Sequence, residues 1–438
     1  MLLFTVLTAL PSPGAAASDP LQLADTYIPQ LETILKDNIG SFWLSKALDH
    51  QYGGYTIDFD AAGQQRSNGT KMIVTQARTV WLFSRMARAG YGEAYLAAAE
   101  HGVAFLRDVM WDSENGGFFW EVDATGNQRL NPRKHLYGQA FALYGISEYA
   151  LASQNQEALD FATECFNLLE EKAHDDAYSG YLEFFDTDWS SLPAGTPSYL
   201  SVPSEYKLMN THLHLLEAFT TYYRASQLPL AQTRLLELIL IQSNTMVRFP
   251  PGACTDKYNR DWTRRLDSDY ARVSYGHDIE NVWLLMDACA AIGLSNSTLL
   301  EQYKILYTYS MDYGYDNLNG GFYDSGAFSQ AADKQTKVWW VQAEALVSAL
   351  YLYRMTQNPI HLSVFETTFD FVNKHMVDHQ NGEWHESVSA QGAVLDSDKG
   401  HKWKCGYHNG RAMIECMGVL EYLKTEKLKE NQGGGRRR

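Results

Sequence analysis

Basic residues are scarce in this chain. Its 438 residues include 36 Lys and Arg against 52 Asp and Glu, which gives a formal net charge of −16 with histidine neutral. A protein that follows nucleic-acid phosphates needs a basic face, and an anionic membrane attracts basic segments for the same reason. The composition therefore disfavours nucleic acid and an anionic membrane surface as partners.

Cysteine and the common cofactor motifs are also scarce or absent. The five cysteines are scattered and none stands in a Cys-x-x-Cys pair, which predicts reduced core thiols rather than a disulfide framework or a metal site. The sequence contains no Gly-x-Ser-x-Gly, Walker, Gly-x-Gly-x-x-Gly or His-Glu-x-x-His pattern. We therefore expect neither a metal nor a cofactor, and neither serine-hydrolase nor phosphate-cradle chemistry.

Long apolar runs are missing as well. Residues 2–10 form a short apolar run, and a small-residue stretch at Ala15–Ala17 follows it. This pattern predicts a signal peptide over residues 1–17 and export from the cytoplasm. A cytoplasmic protein is the alternative, because no Lys or Arg follows Met1 in the run. No later stretch approaches the ~20 apolar residues of a membrane span, and we expect residues 429–438 to form a disordered tail.

Aromatic residues, in contrast, are abundant: 11 Trp, 27 Tyr and 19 Phe. Several follow a glycine at a recurring turn signal. The signal appears at Gly53, Gly116, Gly180, Gly320 and Gly382, which are about 63 residues apart except for one double interval. A fixed period of this size indicates a repeat architecture. We interpret the chain as six units, with the fourth copy of the signal hidden near residue 252.

Each unit contains two stretches in which apolar residues recur at helical spacing. The predicted helices cover residues 22–40, 71–89, 93–110, 135–152, 155–173, 207–225, 229–246, 275–292, 297–312, 337–355, 360–376 and 404–426. An open solenoid of such hairpins would need polar caps at its ends, and the sequence has none. We therefore predict an all-α fold, a single (α/α)6 barrel over residues 22–426 with short β-hairpins in the loops at one end.

The second helix of each unit carries unusual polar and aromatic residues at a similar distance from the glycine signal. In a closed barrel this places them at a similar height around one axis. The set comprises Arg78, Trp81, Tyr137, Asn210, His214, His277, Glu280, Trp340, Glu344, His408 and Arg411. His212 and His214 lie about 200° apart on a helix, so only one of them faces the axis. Asn210 is the i,i+4 partner of His214, which selects His214.

A ring of histidines indicates proton transfer near neutral pH. Imidazoles suit the removal and return of a carbon-bound proton better than the protonation of a glycosidic oxygen, for which carboxylate pairs are typical. Two histidines on opposite sides of a substrate carbon would invert it, and Arg and Tyr donors would stabilise the enediolate between the two steps. Inversion at C2 of an open-chain sugar is the simplest such reaction and needs no cofactor.

Four motifs resemble the N-acylglucosamine 2-epimerase superfamily, and most closely its cellobiose 2-epimerase branch. They are Met-Asn210-Thr-His-Leu-His214, Tyr-Gly-His277-Asp-Ile-Glu280, Trp-Trp340-Val-Gln-Ala-Glu344 and Tyr-His408-Asn-Gly-Arg411. The resemblance covers roughly residues 25–425. It implies an (α/α)6 barrel and cofactor-free inversion of C2 in the reducing-end glucose of a β-1,4-linked disaccharide.

The resemblance also implies a role for each site residue. His408 would open the ring and act as one base at C2, His277 would be the other acid/base, and His214 would assist proton traffic or polarise the carbonyl. The implied substrate-binding residues are Arg78 at the C1 and C2 oxygens, Tyr137 and Asn210 in the pocket, Glu280 and Glu344 as orienting groups, and Trp340 and Trp403 on the sugar rings. Arg411 completes the ring of polar groups.

Four other functions remain open at this point. An N-acylglucosamine 2-epimerase would use the same scaffold, and an aldose–ketose isomerase of the mannose type would need only a small change in where the proton returns. A carbohydrate-binding protein would keep the tryptophans without the chemistry, and an inverting glycosidase would release free glucose. We expect a neutral mono- or disaccharide as the partner, and a monomer or weak dimer.

Overall fold

A computed structural model describes residues 19–66, 69–250, 252–267 and 271–434. The predicted signal peptide, residues 1–17, lies outside these ranges. The described residues form twelve helical segments that alternate between an outer and an inner layer. The outer helices are α1 (Pro20–Thr33, continued by the π-helical turn Ile34–Gly40 and by Ser41–Lys46), α3 (Glu93–Phe105, continued by Leu106–Met110), α5 (Gln156–Lys172), α7 (Pro229–Leu240, continued by Ile241–Thr245), α9 (Leu300–Gly314, preceded by the 3-10 turn Asn296–Leu299) and α11 (Pro359–His375). The inner helices are α2 (Ile73–Arg88), α4 (Leu136–Ser153), α6 (Met209–Ser226), α8 (Tyr275–Ala291), α10 (Trp339–Thr356) and α12 (Tyr407–Gly434).

The two layers differ in burial as their sequences dictate. In the inner helix α4 every residue from Leu136 to Ala150 is buried, because neighbouring helices cover all of its faces. In the outer helix α5 the buried residues form a single stripe at helical spacing: Ala158, Ala162, Cys165, Phe166 and Leu169. The side chain of Asn155 caps α5 by accepting hydrogen bonds from the amides of Glu157 and Ala158.

The inner helices close into a ring. Each packs against the next one along the chain, and α12 contacts α2. The outer helix α1 also packs along α12, where Lys424 Nζ lies 2.9 Å from the Asp25 carboxylate. The predicted all-α (α/α)6 barrel is therefore confirmed, and the open solenoid is excluded.

Short strands join the units at the end of the barrel where the inner helices begin. In the described residues they are β1 (Lys71–Met72), β2 (Glu121–Val122), β3 (Arg129–Asn131), β4 (Lys134–His135), β5 (Phe184–Phe185), β6 (Lys207–Leu208), β7 (Val247–Arg248), β8 (Ala253–Cys254), β9 (Lys257–Tyr258), β10 (Arg272–Ser274), β11 (Ser325–Ala327), β12 (Lys337–Val338), β13 (Ser387–Val388) and β14 (Val394–Asp396). All pairs are antiparallel, in the orders β1-β2-β3, β4-β5, β6-β9, β7-β8, β10-β11 and β12-β13-β14.

These strands also link each unit to the next around the barrel. Strands β1, β4, β6, β10 and β12 each end where an inner helix begins, and each pairs with a strand of the following unit. A bridge between Phe59 and Gly400 joins the last unit to the first in the same way. The β-hairpins predicted at one end of the barrel thus form a continuous belt around that end.

Five units share a buried ion pair, which we call the Lys–Asp clasp. A lysine in the segment that leads into the inner helix binds an aspartate at the turn after the outer helix, with nitrogen–oxygen distances of 2.7–2.9 Å. The pairs are Lys71–Asp49, Lys134–Asp112, Lys207–Asp175, Lys337–Asp316 and Lys399–Asp378. In the fourth unit the corresponding positions hold Arg248 and Val273. The fourth unit, whose glycine signal is hidden in the sequence, therefore has no clasp among its described residues.

The ends of the helical region differ from the prediction. Helix α12 continues to Gly434, so residues 429–434 are helical and the prediction of a disordered tail is wrong for them; residues 435–438 lie outside the described ranges. Salt bridges one turn apart, Lys427–Glu430 and Lys429–Glu426, stabilise this extension. All five cysteines are buried free thiols, as predicted. Among the described residues, no helix combines the length and apolarity that crossing a membrane requires.

Candidate active site

A cavity of about 300 Å³ opens at the hairpin end of the barrel, above the first turns of the inner helices. Its lining contains nine of the eleven predicted site residues: Arg78, Tyr137, Asn210, His214, His277, Glu280, Trp340, Trp403 and His408. The other two, Glu344 and Arg411, lie directly beneath and contact His408 and Glu280. Trp81 lies one turn deeper and lines a second cavity on the opposite side of the barrel.

The register of the inner helices explains this convergence. A polar residue in the first turn of an inner helix binds the backbone of the preceding glycine–aromatic turn, as when Gln76 accepts from the Tyr55 amide at 2.8 Å. Gln139, Asp278 and Gln342 make the same contact with Phe118, Cys254 and Phe322 in their own units. The residue two positions further along each helix then faces the axis. These axial residues are Arg78, Phe141, His214, Glu280, Glu344 and Arg411.

His212 occupies one of these docking positions. Its Nε2 accepts a hydrogen bond from the Tyr181 amide at 3.0 Å, and its Nδ1 donates to the Leu208 carbonyl at 2.7 Å. Both ring nitrogens are therefore used by the backbone. The structure thus places His214 at the site and His212 in the scaffold.

Arg411 is the centre of the site floor. Its Nη2 donates to Glu280 Oε1 at 2.7 Å and to Glu344 Oε1 at 2.9 Å, and its Nη1 donates to Glu217 Oε2. The guanidinium is fully buried against the rings of Trp283 and Tyr407. One buried cation therefore links three carboxylates from three different helices.

Two histidines are held by carboxylates from this floor. His408 Nδ1 lies 2.7 Å from Glu344 Oε1, and His214 Nδ1 lies 2.6 Å from Glu217 Oε1. A carboxylate at Nδ1 favours the tautomer in which Nε2 carries the lone pair. Burial alone would raise the pKa of Glu344, but Arg411 and His408 lower it to about 2. The Glu344 carboxylate is therefore charged and able to orient His408.

The site histidines are neutral at pH 7. Burial lowers the pKa of His408 to about 3 despite Glu344, and lowers the pKa of His277 to about 4 despite Asp256. Burial also lowers the pKa of His214. The rings of His277 on α8 and His408 on α12 both lie close to Trp340 of the intervening helix α10, with centroid distances of 4.8 and 5.7 Å. Two neutral bases thus lie beside one aromatic surface at the cavity.

Arg78 and Glu280 complete the polar lining. Arg78 Nη2 donates to the Tyr137 hydroxyl at 3.0 Å, and its guanidinium stacks 4.1 Å from the Phe141 ring. Its Nε is buried without a hydrogen-bond partner in the protein. Burial and the charge of Glu344 raise the pKa of Glu280 well above its ordinary value, whereas the ion pair with Arg411 opposes that shift. The cavity therefore offers hydrogen-bond donors suited to sugar oxygens.

The sequence reasoning missed Leu200 and Trp339, which also line the cavity. Leu200 is at the tip of a loop hairpin in which Ser198 N donates to Val202 O at 2.8 Å. Its neighbour Tyr199 stacks on Trp120 with ring centroids 4.8 Å apart. The loop has no helical or strand periodicity to reveal its place, whereas the doublet Trp339–Trp340 offered a signal for Trp339.

Two groups of described residues have the spacing of metal ligands: His214, Glu217 and Glu280, and Glu280, Glu344 and His408. Arg411 bonds all three of their carboxylates and already supplies a positive charge between them. These carboxylates are therefore arranged to bind the Arg411 guanidinium. The expectation that no metal is needed stays a prediction.

Known proteins share both this fold and this sequence. The cellobiose 2-epimerase of Bacteroides fragilis is 30% identical over 89% of this chain and 98% of its own length. The structure of cellobiose 2-epimerase from Bacillus thermoamylovorans B4167 superposes with a TM-score of 0.83, covering 90% of this chain and 99% of that one at 30% identity. A D-mannose isomerase of Marinomonas mediterranea is 25% identical over 87% of this chain and 94% of its own length.

Barrel, site and relatives together define a class: the chain is an isomerase or epimerase that acts on carbohydrate. The model of the N-acylglucosamine 2-epimerase (GlcNAc 2-epimerase) family matches residues 53–412. The chain belongs to this family, and it is a carbohydrate 2-epimerase-type enzyme by that membership.

Proposed function

We propose that this enzyme inverts C2 of the reducing-end glucose in a β-1,4-linked disaccharide of the cellobiose or lactose type, and that it does so without a cofactor. The observation that carries the proposal is the pair of neutral histidines, His277 and His408, which come from two different helices and line one cavity beside Trp340. Two bases on different walls can reach opposite faces of one carbon, and that geometry suits inversion.

The proposed reaction begins with ring opening, in which His408 takes the O1 proton, the C1–O5 bond breaks as the C1 carbonyl forms, and His408 passes the proton to O5. A histidine then removes the proton from C2, and the electron pair forms the C1=C2 bond of a cis-enediolate with negative charge on O1. The Arg78 guanidinium, with Tyr137 beside it, would stabilise that oxygen. The other histidine takes up a proton from solvent and delivers it to the opposite face of C2, which restores the C1 carbonyl and gives the mannose epimer.

The aromatic lining supports a disaccharide substrate. Trp340 and Trp403 both line the cavity, and Trp403 lies 6.4 Å from Tyr137 and 6.1 Å from Trp120 between ring centroids. Flat rings suit the C–H faces of sugars, and a second ring beyond the reacting unit suits the second sugar. The relatives of 30% identity are named for cellobiose, a β-1,4-linked disaccharide.

The proposal is tested by incubation with cellobiose or lactose in deuterated water. We expect the epimer to form with deuterium at its C2. The variants His408→Asn and His277→Asn should each reduce turnover by about 10²–10⁴-fold, the usual contribution of a general acid or base. His361→Asn is the matched control, because His361 is also buried but lies on the outer helix α11. Full activity in either site variant would contradict the two-base scheme.

A second candidate is an aldose–ketose isomerase, which the similarity to D-mannose isomerase favours. It shares the enediolate but returns the proton to C1 instead of C2. Incubation with mannose followed by chromatography distinguishes the two, because a ketose product identifies the isomerase. Solvent deuterium would then be found at C1.

A further inference from the structure

Glu217 lies next to the reacting cavity without lining it. Its side chain is on α6, one turn after His214, and is only 3% exposed. It lines instead the second cavity, a space of about 260 Å³ at the opposite mouth of the inner ring, together with Arg85, Arg88 and Arg411. Glu217 therefore acts on the chemistry only through the groups that it holds.

The two oxygens of Glu217 have different partners. Oε1 lies 2.6 Å from His214 Nδ1, whereas Oε2 accepts hydrogen bonds from the Tyr407 hydroxyl at 2.6 Å and from Arg411 Nη1. Arg411 in turn binds Glu344, which holds His408. Two histidine–glutamate pairs are thus joined through one arginine.

We infer that Glu217 is the positioning residue for His214: its carboxylate keeps the proton of His214 on Nδ1, so that Nε2 presents a lone pair to the sugar. The inference rests on the proposed function for its catalytic consequence, but the tautomer itself does not depend on which sugar binds. His214, like His408, can then accept a proton through Nε2. With its proton on Nε2 instead, His214 would donate a hydrogen bond to the sugar.

A substitution at Glu217 that keeps the shape of the side chain can test this inference. In Glu217→Gln one end of the amide faces Arg411, and a guanidinium has only donors. The amide oxygen must therefore face Arg411, and the amide NH₂ must face His214 Nδ1. That nitrogen can then only accept, so the His214 proton moves to Nε2. The substitution keeps the shape of the side chain and reverses the tautomer.

The experiment records long-range proton–nitrogen spectra of histidine-labelled protein at pH 7, with His214 assigned by its loss in His214→Asn. We expect protonated Nδ1 in the unaltered protein and protonated Nε2 in Glu217→Gln. Turnover of cellobiose should fall by about 10²–10⁴-fold with KM nearly unchanged, as when the tautomer of a catalytic histidine is reversed. Glu148→Gln is the matched control, because Glu148 is 2% exposed, lines the same second cavity and pairs with Arg88 at 2.9 Å. It should change neither readout.

Three results would overturn the inference: a proton on Nε2 in the unaltered protein, an unreversed tautomer in Glu217→Gln, or a reversed tautomer with full turnover. The first measurement needs no variant to fold. If the unaltered enzyme turns over no sugar, the proposed function fails, while the two spectra still decide whether Glu217 sets the tautomer of His214.

Discussion

The Lys–Asp clasp of the fifth unit allows a quantitative test of what holds the belt of hairpins together. Lys337 is fully buried and its Nζ binds Asp316 at 2.8 Å, the Gly320 carbonyl at 2.6 Å and the Ala390 carbonyl at 2.9 Å. The clasp therefore joins the turn of its own unit to that of the next. Asp316→Asn removes the one negative charge among these three partners.

Loss of one partner from a buried ion pair costs about 3–5 kcal/mol, because the remaining charge stays buried without compensation. With about 2.1 cal/mol/K of unfolding entropy per residue, a barrel of this length loses about 1 °C in Tm per kcal/mol. We therefore expect Asp316→Asn to lower Tm by about 3–6 °C at pH 7. The measurement is differential scanning calorimetry.

Two comparisons make the test specific. Glu301→Gln in the same unit breaks an exposed pair with Lys304 and should cost at most about 1 kcal/mol. The double variant Asp316→Asn with Lys337→Met removes both charges and should recover part of the loss, because an apolar pair of similar volume is tolerated where a lone charge is not. A Tm for Asp316→Asn no lower than that for Glu301→Gln, or a double variant less stable than the single one, would refute this account of the clasp.

Three further results are expected. The pKa values of the clasp aspartates are lowered, because their lysines and hydrogen bonds outweigh burial. The stabilisation by these aspartates is therefore complete above their unfolded pKa near 4 and is lost as pH falls through their folded pKa values. Tm should drop steeply below pH 4, and a flat Tm down to pH 2 would contradict this. Because the pKa values of His277 and His408 are lowered to about 4 and 3, kcat/KM should stay level from pH 7 to pH 5, whereas an acidic limb near pH 6.5 would show ordinary histidines. Leu200→Ala should raise KM for cellobiose several-fold with little change in kcat, since the side chain lines the cavity at a loop tip, and an unchanged KM would mean that the loop does not contact substrate.

The sequence predicted the helices well because their burial is periodic. Helix α4 was expected at residues 135–152 and spans Leu136–Ser153. Helix α12 was expected at residues 404–426 and spans Tyr407–Gly434, because Lys404 belongs to a bridge with His401 that precedes the helix. The fourth unit was recognised only by its spacing, since its clasp and its glycine signal are both altered.

The candidate site could be assembled from the sequence because Arg78, His214, Glu280 and Glu344 lie at similar distances from the glycine signals. The structure supplies the physical reason, since each of these axial residues follows a docking residue by two positions. Leu200 and Glu217 could not be found in the same way. The first depends on how a long loop folds back, and the second acts through His214 from the side of the barrel away from substrate.

The contact between Asp25 on α1 and Lys424 on α12 has a consequence for the identity of the first unit. The two ends of the helical region run side by side, so the six units are arranged in a closed cycle. The chain is interrupted between the sixth unit and the first, and the same cycle could be interrupted between other units instead. A circular permutant with a short linker between α12 and α1, opened at the unclasped turn around Arg248, would retain all five clasps and every pair of adjacent inner helices. The closed ring of six repeats would then fold as a whole, and no particular repeat would have to come first in the chain.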